Sequence, residues 1–208
     1  MESLENHLVD KENGLIKLLD PPFEKGILNP GYIKAYLPGT RENGGQYTHG
    51  SIWAIIAQSI LGFGNKAGEY YRMINPIEHT RTKEAAGKYK VEPYVIAADI
   101  YGQKNLAGRG GWTWYTGSAS WMYEAGIKYL LGLRIEKGKL KLMPCIPNDW
   151  KEYTIKYKYG SSIYHIRISN PHGKETGVSK FMLDGQEIEQ KEITLNPNGG
   201  VYNVEVEM

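Results

Sequence analysis

The sequence predicts an α+β protein, a helical half followed by a small antiparallel β-sandwich. Residues 47–131 place apolar side chains at helical spacing, whereas residues 132–208 alternate apolar and polar side chains over short runs bounded by turn residues. Residues 1–46 are mostly irregular and rich in Gly and Pro. Three regions follow: an irregular leading segment with candidate site residues (1–46), a helical portion (47–131) and a small antiparallel β domain (132–208). A length of 208 residues suits one full domain or two modest ones. It allows burial of roughly 70% of the unfolded surface.

In the leading segment, Pro21-Pro22 breaks the chain before a Gly/Pro-rich run from Gly26 to Gly45. Long structureless stretches in compact domains are usually functional. Thr48 can cap a helix carrying Ile52, Trp53, Ile55, Ile56 and Ile60, which ends at Gly62. A second helix is expected from about Asn65 to Ile74, stopping before Pro76. A third is expected over about Glu92 to Tyr101, with Pro93 in its first turn. A fourth starts near Ser118 and carries Trp121, Met122, Ala125, Ile127, Leu130 and Leu131 before Gly132. The first, third and fourth are apolar around much of their circumference, which calls for burial on more than one side. About four helices with long Gly-rich connections do not make a tidy four-helix bundle and fit part of a larger helical array. In the β half, Tyr153, Ile155, Tyr157 and Tyr159 face one way. A turn at Gly160-Ser161 leads to Tyr164, Ile166 and Ile168, and Asp184-Gly185 is a hairpin signal. Further short strands are expected at 193–195 and 201–206, as in a small sandwich.

Composition narrows the function classes. With 25 Lys+Arg against 23 Asp+Glu the net charge is +2, without the basic excess of a nucleic-acid binder. A single cysteine, Cys145, excludes an internal disulfide framework and any multi-cysteine zinc site, and reads as a small buried hydrophobe. No apolar run approaches the ~20 residues of a membrane span, and the acidic start Met1–Glu5 does not read as a signal peptide. The 16 Tyr and 5 Trp against 3 Phe supply flat apolar faces with polar tips, suited to sugar stacking and equally to domain interfaces.

Three segments can carry chemistry. In Arg41-Glu-Asn-Gly-Gly-Gln-Tyr-Thr-His49 two glycines allow close backbone approach to a ligand. The segment also feeds a helix N-terminus, whose free N–H groups and dipole suit an anion. His49, in the first turn, is either a phosphate donor or a satisfied structural group, and Arg41 can bind an anion bidentately. In Arg109–Trp121 the turn Thr116-Gly117-Ser118 is either an anion-holding turn or an ordinary N-cap over packed tryptophans. Glu92, in Val91-Glu-Pro-Tyr94, either complements a helix dipole or holds a sugar hydroxyl. No Gly-Lys-Ser/Thr follows the glycines, no Gly-x-Ser-x-Gly elbow is present, and His79, His165 and His172 show no metal spacing.

Tyr32–Tyr36, Pro38-Gly39, Arg41–Gly45, His49, Val91–Tyr94 and Trp114–Ala119, in this order and spacing, resemble the inverting glycoside phosphorylases related to cellobiose and chitobiose phosphorylase. The likeness is greatest to the C-terminal module of cyclic β-1,2-glucan synthases. Pro144-Cys-Ile-Pro147 followed by Trp150 resembles the link by which that family enters its β domain, and the likeness runs from about residue 26 to 170. The resemblance implies a partial (α/α)6 barrel closed by a β-sandwich. It also implies attack of inorganic phosphate on the anomeric carbon of a β-glucoside, with inversion to the α-sugar 1-phosphate. Inversion needs a general acid on the leaving oxygen, while phosphate replaces the activated water. The resemblance further implies His49, Thr116 and Gly117 as phosphate-binding residues, with Tyr36, Arg41 and Glu42 on the acceptor-sugar side. Arg41 stands where cellobiose phosphorylases carry Lys, which points away from cellobiose.

The family's catalytic acid lies in a Trp-Asn-Asp-Gly-like motif, and nothing like it occurs here. Asp10, Asp20, Asp99, Asp149 and Asp184 lie in other contexts. The expectation is therefore a C-terminal piece of such an enzyme, holding the phosphate side of the site and inactive alone. It would use phosphate as co-substrate with no cofactor or metal, and a β-linked gluco-oligosaccharide as sugar partner. Exposed helix faces would be covered by a second copy or by the N-terminal part of the same enzyme. The expected location is cytoplasmic, including the case of a membrane-tethered parent. The rival readings are a non-enzymatic carbohydrate-binding module, with tyrosines of the β half as a stacking platform, and a hydrolase of the same helical architecture with Glu42 or Glu92 as base.

Overall fold

The computed structural model describes residues 1–24 and 29–208; Gly26 to Leu28 of the Gly/Pro-rich run lie outside the described residues. In chain order the elements are α1 (Glu2–His7), β1 (Val9–Asp10), β2 (Leu15–Ile16), β3 (Gln46–Tyr47), α2 (Thr48–Ile60), α3 (Gly64–Met73), α4 (Pro76–His79), α5 (Lys83–Tyr89), β4 (Asp99–Ile100) and α6 (Ser118–Glu124), which continues as π-helical turns over Ala125–Leu130. The strands β5 (Leu133–Glu136), β6 (Lys139–Leu142), β7 (Glu152–Tyr159), β8 (Ser162–Ser169), β9 (Lys180–Leu183), β10 (Gln186–Glu187), β11 (Glu192–Thr194) and β12 (Gly200–Glu207) follow. The class is mixed α+β. Among the described residues no helix is long and apolar enough to cross a membrane.

The chain forms two compact units, residues 1–56 with 69–123, and residues 57–68 with 124–208. In the first, the leading segment is less irregular than its composition suggests. β1 and β2 pair antiparallel, and a 3-10 turn spans Gly31–Ala35. Leu15 is buried with Tyr89, Ala97 and Ile100 in a small core. Polar side chains lock this segment to α2. The Gln46 side chain accepts from the Ile16 N–H at 3.0 Å, and the Ser51 hydroxyl donates to the Ile16 carbonyl at 2.8 Å. Thr48 is the first residue of α2, and its hydroxyl accepts from the Gln46 amide at 3.2 Å.

The helix expected over Glu92 to Tyr101 does not form. Helicity falls earlier, in α5, which Thr82 caps by accepting the Ala85 N–H at 3.1 Å and which Lys90 ends in the left-handed conformation. Beyond it the chain passes through bends and a turn at Pro93-Tyr94 to the short strand β4 and makes tertiary pairs. Ala98 N–H donates to Trp112 O, Tyr101 N–H to Arg109 O and Gly111 N–H to Asp99 O, while β4 pairs with β3. Pro93 suits that turn, and the β-branched Val91, Val95, Ile96 and Ile100 disfavour a helix there. With α1, α4 and α5 in place, the helices number six among the described residues rather than about four.

In the second unit, β5, β6 and β11 form one sheet, and a five-stranded sheet has the order β10-β9-β12-β8-β7. Leu140, Leu142 and Ile193 of the first meet Ile166, Phe181 and Val204 of the second in a common core, the arrangement of a sandwich. The sheet is not wholly antiparallel: β12 runs parallel to β8 over eight residue pairs, Gly200↔Ser162 through Glu207↔Ser169. Parallel neighbours need a crossover connection, supplied here by the β9–β11 region. Asp184 and Gly185 both take positive φ in the β9–β10 hairpin, as the Asp-Gly signal requires. Tyr153, Ile155, Tyr157 and Tyr159 do share a face, but that face packs on the core.

Candidate functional site

Asn43 organises the Arg41–Gly45 loop. It is fully buried; its side-chain oxygen accepts the Phe23 N–H at 2.7 Å, and its amide donates to Phe23 O at 2.9 Å and Tyr36 O at 2.8 Å. Its backbone carbonyl accepts from Gly39 N–H at 2.7 Å. The glycines serve the fold of this loop rather than approach of a ligand. At Gly44 φ is +84° and a Cβ would lie 2.7 Å from Pro22; at Gly45 it would lie 3.0 Å from the Arg41 backbone.

The loop presents Arg41 and Glu42 to a cleft of about 420 Å³, lined also by Tyr47, Asp99, Trp112, Tyr115, Thr116 and Gly117. Arg41 and Glu42 therefore share one cleft with Thr116 and Gly117 and with Asp99 of β4. Tyr36 belongs to the same group through Arg41: the guanidinium carbon lies 5.5 Å from the Tyr36 ring centre, and the side chains are hydrogen-bonded. That hydrogen bond, ahead of attraction to Asp99, raises the Arg41 pKa, so the cleft keeps a fixed positive charge. One Glu42 carboxylate oxygen is buried with no hydrogen-bond partner among the described residues.

Thr116 is hydrogen-bonded within its turn and also lines the cleft. Its hydroxyl oxygen accepts the Ser118 N–H at 3.2 Å and lies 2.7 Å from the Ser118 hydroxyl, a local turn just before the start of α6. Beside Gly117 the space is open, for a Cβ would meet nothing within 4 Å. His49 is not among the cleft-lining residues. Its ring stacks on Tyr47 at 6.4 Å and packs against Trp53 at 4.8 Å and Trp121 at 5.2 Å, leaving Nε2 buried and without a hydrogen-bond partner among the described residues. Glu92 also stands outside the lining. It is not at a helix start, because its helix is absent; it accepts the Trp114 indole N–H at 2.9 Å, which holds its carboxyl below the ordinary range. Trp114 takes φ +70°, a left-handed conformation costing a non-glycine residue roughly 1 kcal/mol.

Asp99 is the residue that sequence reasoning passed over. It is 3% exposed, on the cleft floor; burial raises its pKa, the nearby Glu42 adds to the rise, and the Trp112 N–H and Arg41 oppose it. The signal lay in Gly110-Gly111: a Cβ on Gly111 would stand 2.4 Å from an Asp99 carboxylate oxygen. Placing residues 92–101 on a helix hid that relation. Among the described residues no group of three or more His, Cys, Asp or Glu side chains is arranged to hold a metal ion.

Comparison with known proteins bears on this site. The sequence profile of the glycosyl hydrolase 94 superfamily, catalytic domain, matches residues 1–132. The cyclic beta-(1,2)-glucan synthase of Rhizobium meliloti is 46% identical over 169 residues, covering 81% of this chain and 6% of its own length. The solabiose phosphorylase of Paenibacillus borealis is 32% identical, covering 91% of this chain and 24% of its own length. The N,N'-diacetylchitobiose phosphorylase of Vibrio furnissii is 30% identical, covering 85% of this chain and 22% of its own length. The chain thus spans a quarter or less of each of these relatives. With the profile match covering the whole of the cleft, the chain belongs to the glycosyl hydrolase 94 superfamily.

Proposed function

We propose that this chain forms the phosphate-side wall of the active site of a carbohydrate-active enzyme that phosphorolyses, or transfers, β-glucosides with inversion to an α-sugar 1-phosphate. The observation that carries the reading is the convergence of Arg41, Glu42, Thr116 and Gly117, from two distant segments, on one cleft. In this reading the Thr116 hydroxyl and Gly117 N–H hold phosphate oxygens, and His49, which does not line the cleft, is proposed to turn its unpartnered Nε2 to the bound phosphate. The charge of Arg41 counters the phosphate and the acceptor sugar's leaving oxygen, while the free oxygen of Glu42 accepts a sugar hydroxyl. Tyr36 fixes Arg41 from behind. Phosphate is the co-substrate, and the reading calls for no cofactor.

Phosphate attacks the anomeric carbon as the glycosidic bond breaks, and a carboxylic acid must protonate the leaving oxygen from the other face. We assign no aspartate of this chain to that step. Asp99 is enclosed beneath the Gly111 backbone and already accepts the Trp112 N–H. General acid catalysis contributes about 10²–10⁴-fold, so the 208 residues alone are proposed to bind but not turn over. The helices are read as part of an (α/α)6 barrel. The exposed Leu37, Trp53 and Ile77 are proposed to be covered by further protein, either a second copy or the rest of the same enzyme. A cytoplasmic location fits soluble sugar and phosphate supply.

The test is a titration of the chain with inorganic phosphate, followed through the backbone resonances of Thr116 and Gly117 and the imidazole of His49. Saturable shifts, abolished by Thr116→Val and weakened by Arg41→Ala, support the reading. Unmoved resonances at millimolar phosphate overturn it. Phosphate-dependent release of a sugar 1-phosphate from a β-gluco-oligosaccharide would overturn the proposed inactivity.

A further inference from the structure

A cavity of about 800 Å³ lies within residues 57–68 and 124–208, on the face of the β5–β6–β11 sheet turned away from the sandwich core. Its size is that of a small-molecule site. The end of α2, Tyr129 of the π-helical turns and residues 176–178 complete its walls. Three cations line it, Arg134, Lys141 and Lys191, and no acidic side chain does among the described residues.

The sheet holds these charges against their repulsion. Arg134 and Lys141 are directly opposite in the β5–β6 register, and like charges so placed are destabilising. Glu192 relieves Lys141 at 2.7 Å, yet the same carboxylate pairs with Lys139 at 2.6 Å. The Nε of Arg134 has no such relief: it is buried by this chain's own atoms and has no hydrogen-bond partner among the described residues. The Tyr129 ring, with its centre 5.6 Å from the guanidinium carbon, steadies the side chain by a cation–π contact. A buried cationic donor left unpaired is costly, and an anion that enters removes that cost. Lys191 is fixed by donating to the Val178 carbonyl, beside Gly177, where φ is +96° and a Cβ would meet nothing within 4 Å. At the end of α2 the Gln58 and Ser59 carbonyls already accept the Phe63 and Gly62 N–H groups, so neither stands unpaired before an anion.

The geometry points to a binding site for a sugar phosphate. The Arg134 guanidinium presents Nε–H and a neighbouring Nη–H as a fork that matches two phosphate oxygens, while Lys141 and Lys191 add positive charge around them. Inorganic phosphate alone leaves most of the volume unfilled. Thr176 and Gln190, neutral and polar, line the remainder and suit the hydroxyls of a sugar. The site stands apart from the reading of the Arg41–Gly117 cleft, with which it shares no lining residue.

The experiment titrates the full chain with glucose 6-phosphate, inorganic phosphate, glucose and sodium chloride at matched ionic strength, followed by the Arg134 Nε–H and Gln190 side-chain amide resonances. Glucose 6-phosphate carries its phosphate away from the anomeric carbon, so it is not the sugar 1-phosphate read into the cleft. It is expected to shift both resonances saturably, phosphate to shift Arg134 alone and more weakly, and glucose and chloride to shift neither. Arg134→Gln is expected to weaken glucose 6-phosphate binding about tenfold or more, the range of a hydrogen bond to a charged group. Arg134→Lys, which keeps the charge and loses the fork, is expected to recover only part of that. Should Arg134→Gln lose its cooperative melt, the titrations of the unaltered chain decide. An unmoved Arg134 Nε–H at millimolar glucose 6-phosphate overturns the site, as does an equal response to sodium chloride. Equal affinity for phosphate alone, with Gln190 unmoved, overturns the sugar phosphate as its ligand. Thr116 and Gly117 report on the cleft separately, so either site can fail while the other stands.

Discussion

The Trp112 backbone N–H donates to the Asp99 carboxylate at 3.0 Å, while the Asp99 carbonyl accepts from Gly111 at 2.9 Å. One residue thus grips the 110–117 segment with both its side chain and its backbone. Through the β3–β4 pairing, Tyr47↔Asp99, it is tied to the segment that follows Arg41 and Glu42. The spacing across the cleft is set by this buried acid.

Asp99→Asn tests it. Burial raises the folded-state pKa above the ordinary 3.8, so between those values the folded chain binds more protons than the unfolded one. Stability then falls as pH rises through that window. In Asp99→Asn the acceptor for Trp112 remains and the titration is gone. Urea midpoints measured from pH 4 to 7 are expected to lose this downward component in the variant. An identical pH profile for the two proteins would reject the buried-acid account.

His79 works in the opposite sense. It stacks on Tyr89 with ring centres 4.8 Å apart, and burial, with Lys88 nearby, lowers its pKa below 6.5; Glu78 and two backbone contacts, to Met73 and Gly14, oppose the shift. The unfolded chain takes up the proton first, so stability is full above pH 6.5 and is lost as pH falls through the depressed folded value. An NMR titration of the His79 ring is expected to show a midpoint below 6.5. A midpoint at or above that value would contradict the assigned cause.

Asn43→Ala removes two amide donations and one acceptance in a fully buried setting and leaves the Phe23 and Tyr36 backbone groups without those partners. Each buried group so stranded costs about 1–3 kcal/mol. A loss of at least ~2 kcal/mol in denaturant unfolding is expected, together with weakened phosphate response, because the Arg41–Glu42 loop is built on this residue.

Cys145 is buried, and burial pushes its thiol up to about 11. At pH 8 only roughly one thiol in a thousand is ionised. Reaction with Ellman's reagent is expected to be slow in the native chain and complete in denaturant. Rapid native labelling would show the thiol to be accessible.

How much of this was legible depended on where the deciding contacts lie. The apolar spacing of Ile52, Ile55 and Ile56 located α2, and the alternation of Tyr164, Ile166 and Ile168 located β8, because each pattern answers to a single buried face. The Asp184-Gly185 turn was equally local. Residues 92–101 failed because their partners lie at 109–112, and no period within the segment encodes that pairing. The β8–β12 parallel pair was hidden for the same reason: alternation reports which face is buried, never which neighbour lies alongside. In the site, Arg41, Glu42, Thr116 and Gly117 line one cleft and His49 does not, whereas Asp99 needed the strand to be recognised first. Glu92 was read at a helix start that does not form, and its partner Trp114 was not foreseen.

The clamp on Asn43 has one more consequence, for chemical ageing. Asn43-Gly44 is an Asn-Gly pair, in which the glycine nitrogen can attack the side-chain amide carbon and expel ammonia, giving a cyclic imide that water opens to aspartate or its isomer. Here the amide is pinned at both ends by Phe23 and Tyr36, and the Gly44 N–H is engaged with the Glu42 carbonyl at 3.1 Å. Neither reactant is free to turn toward the other. The folded loop therefore preserves its own keystone, and deamidation of Asn43 becomes a clock that runs only while the loop is open.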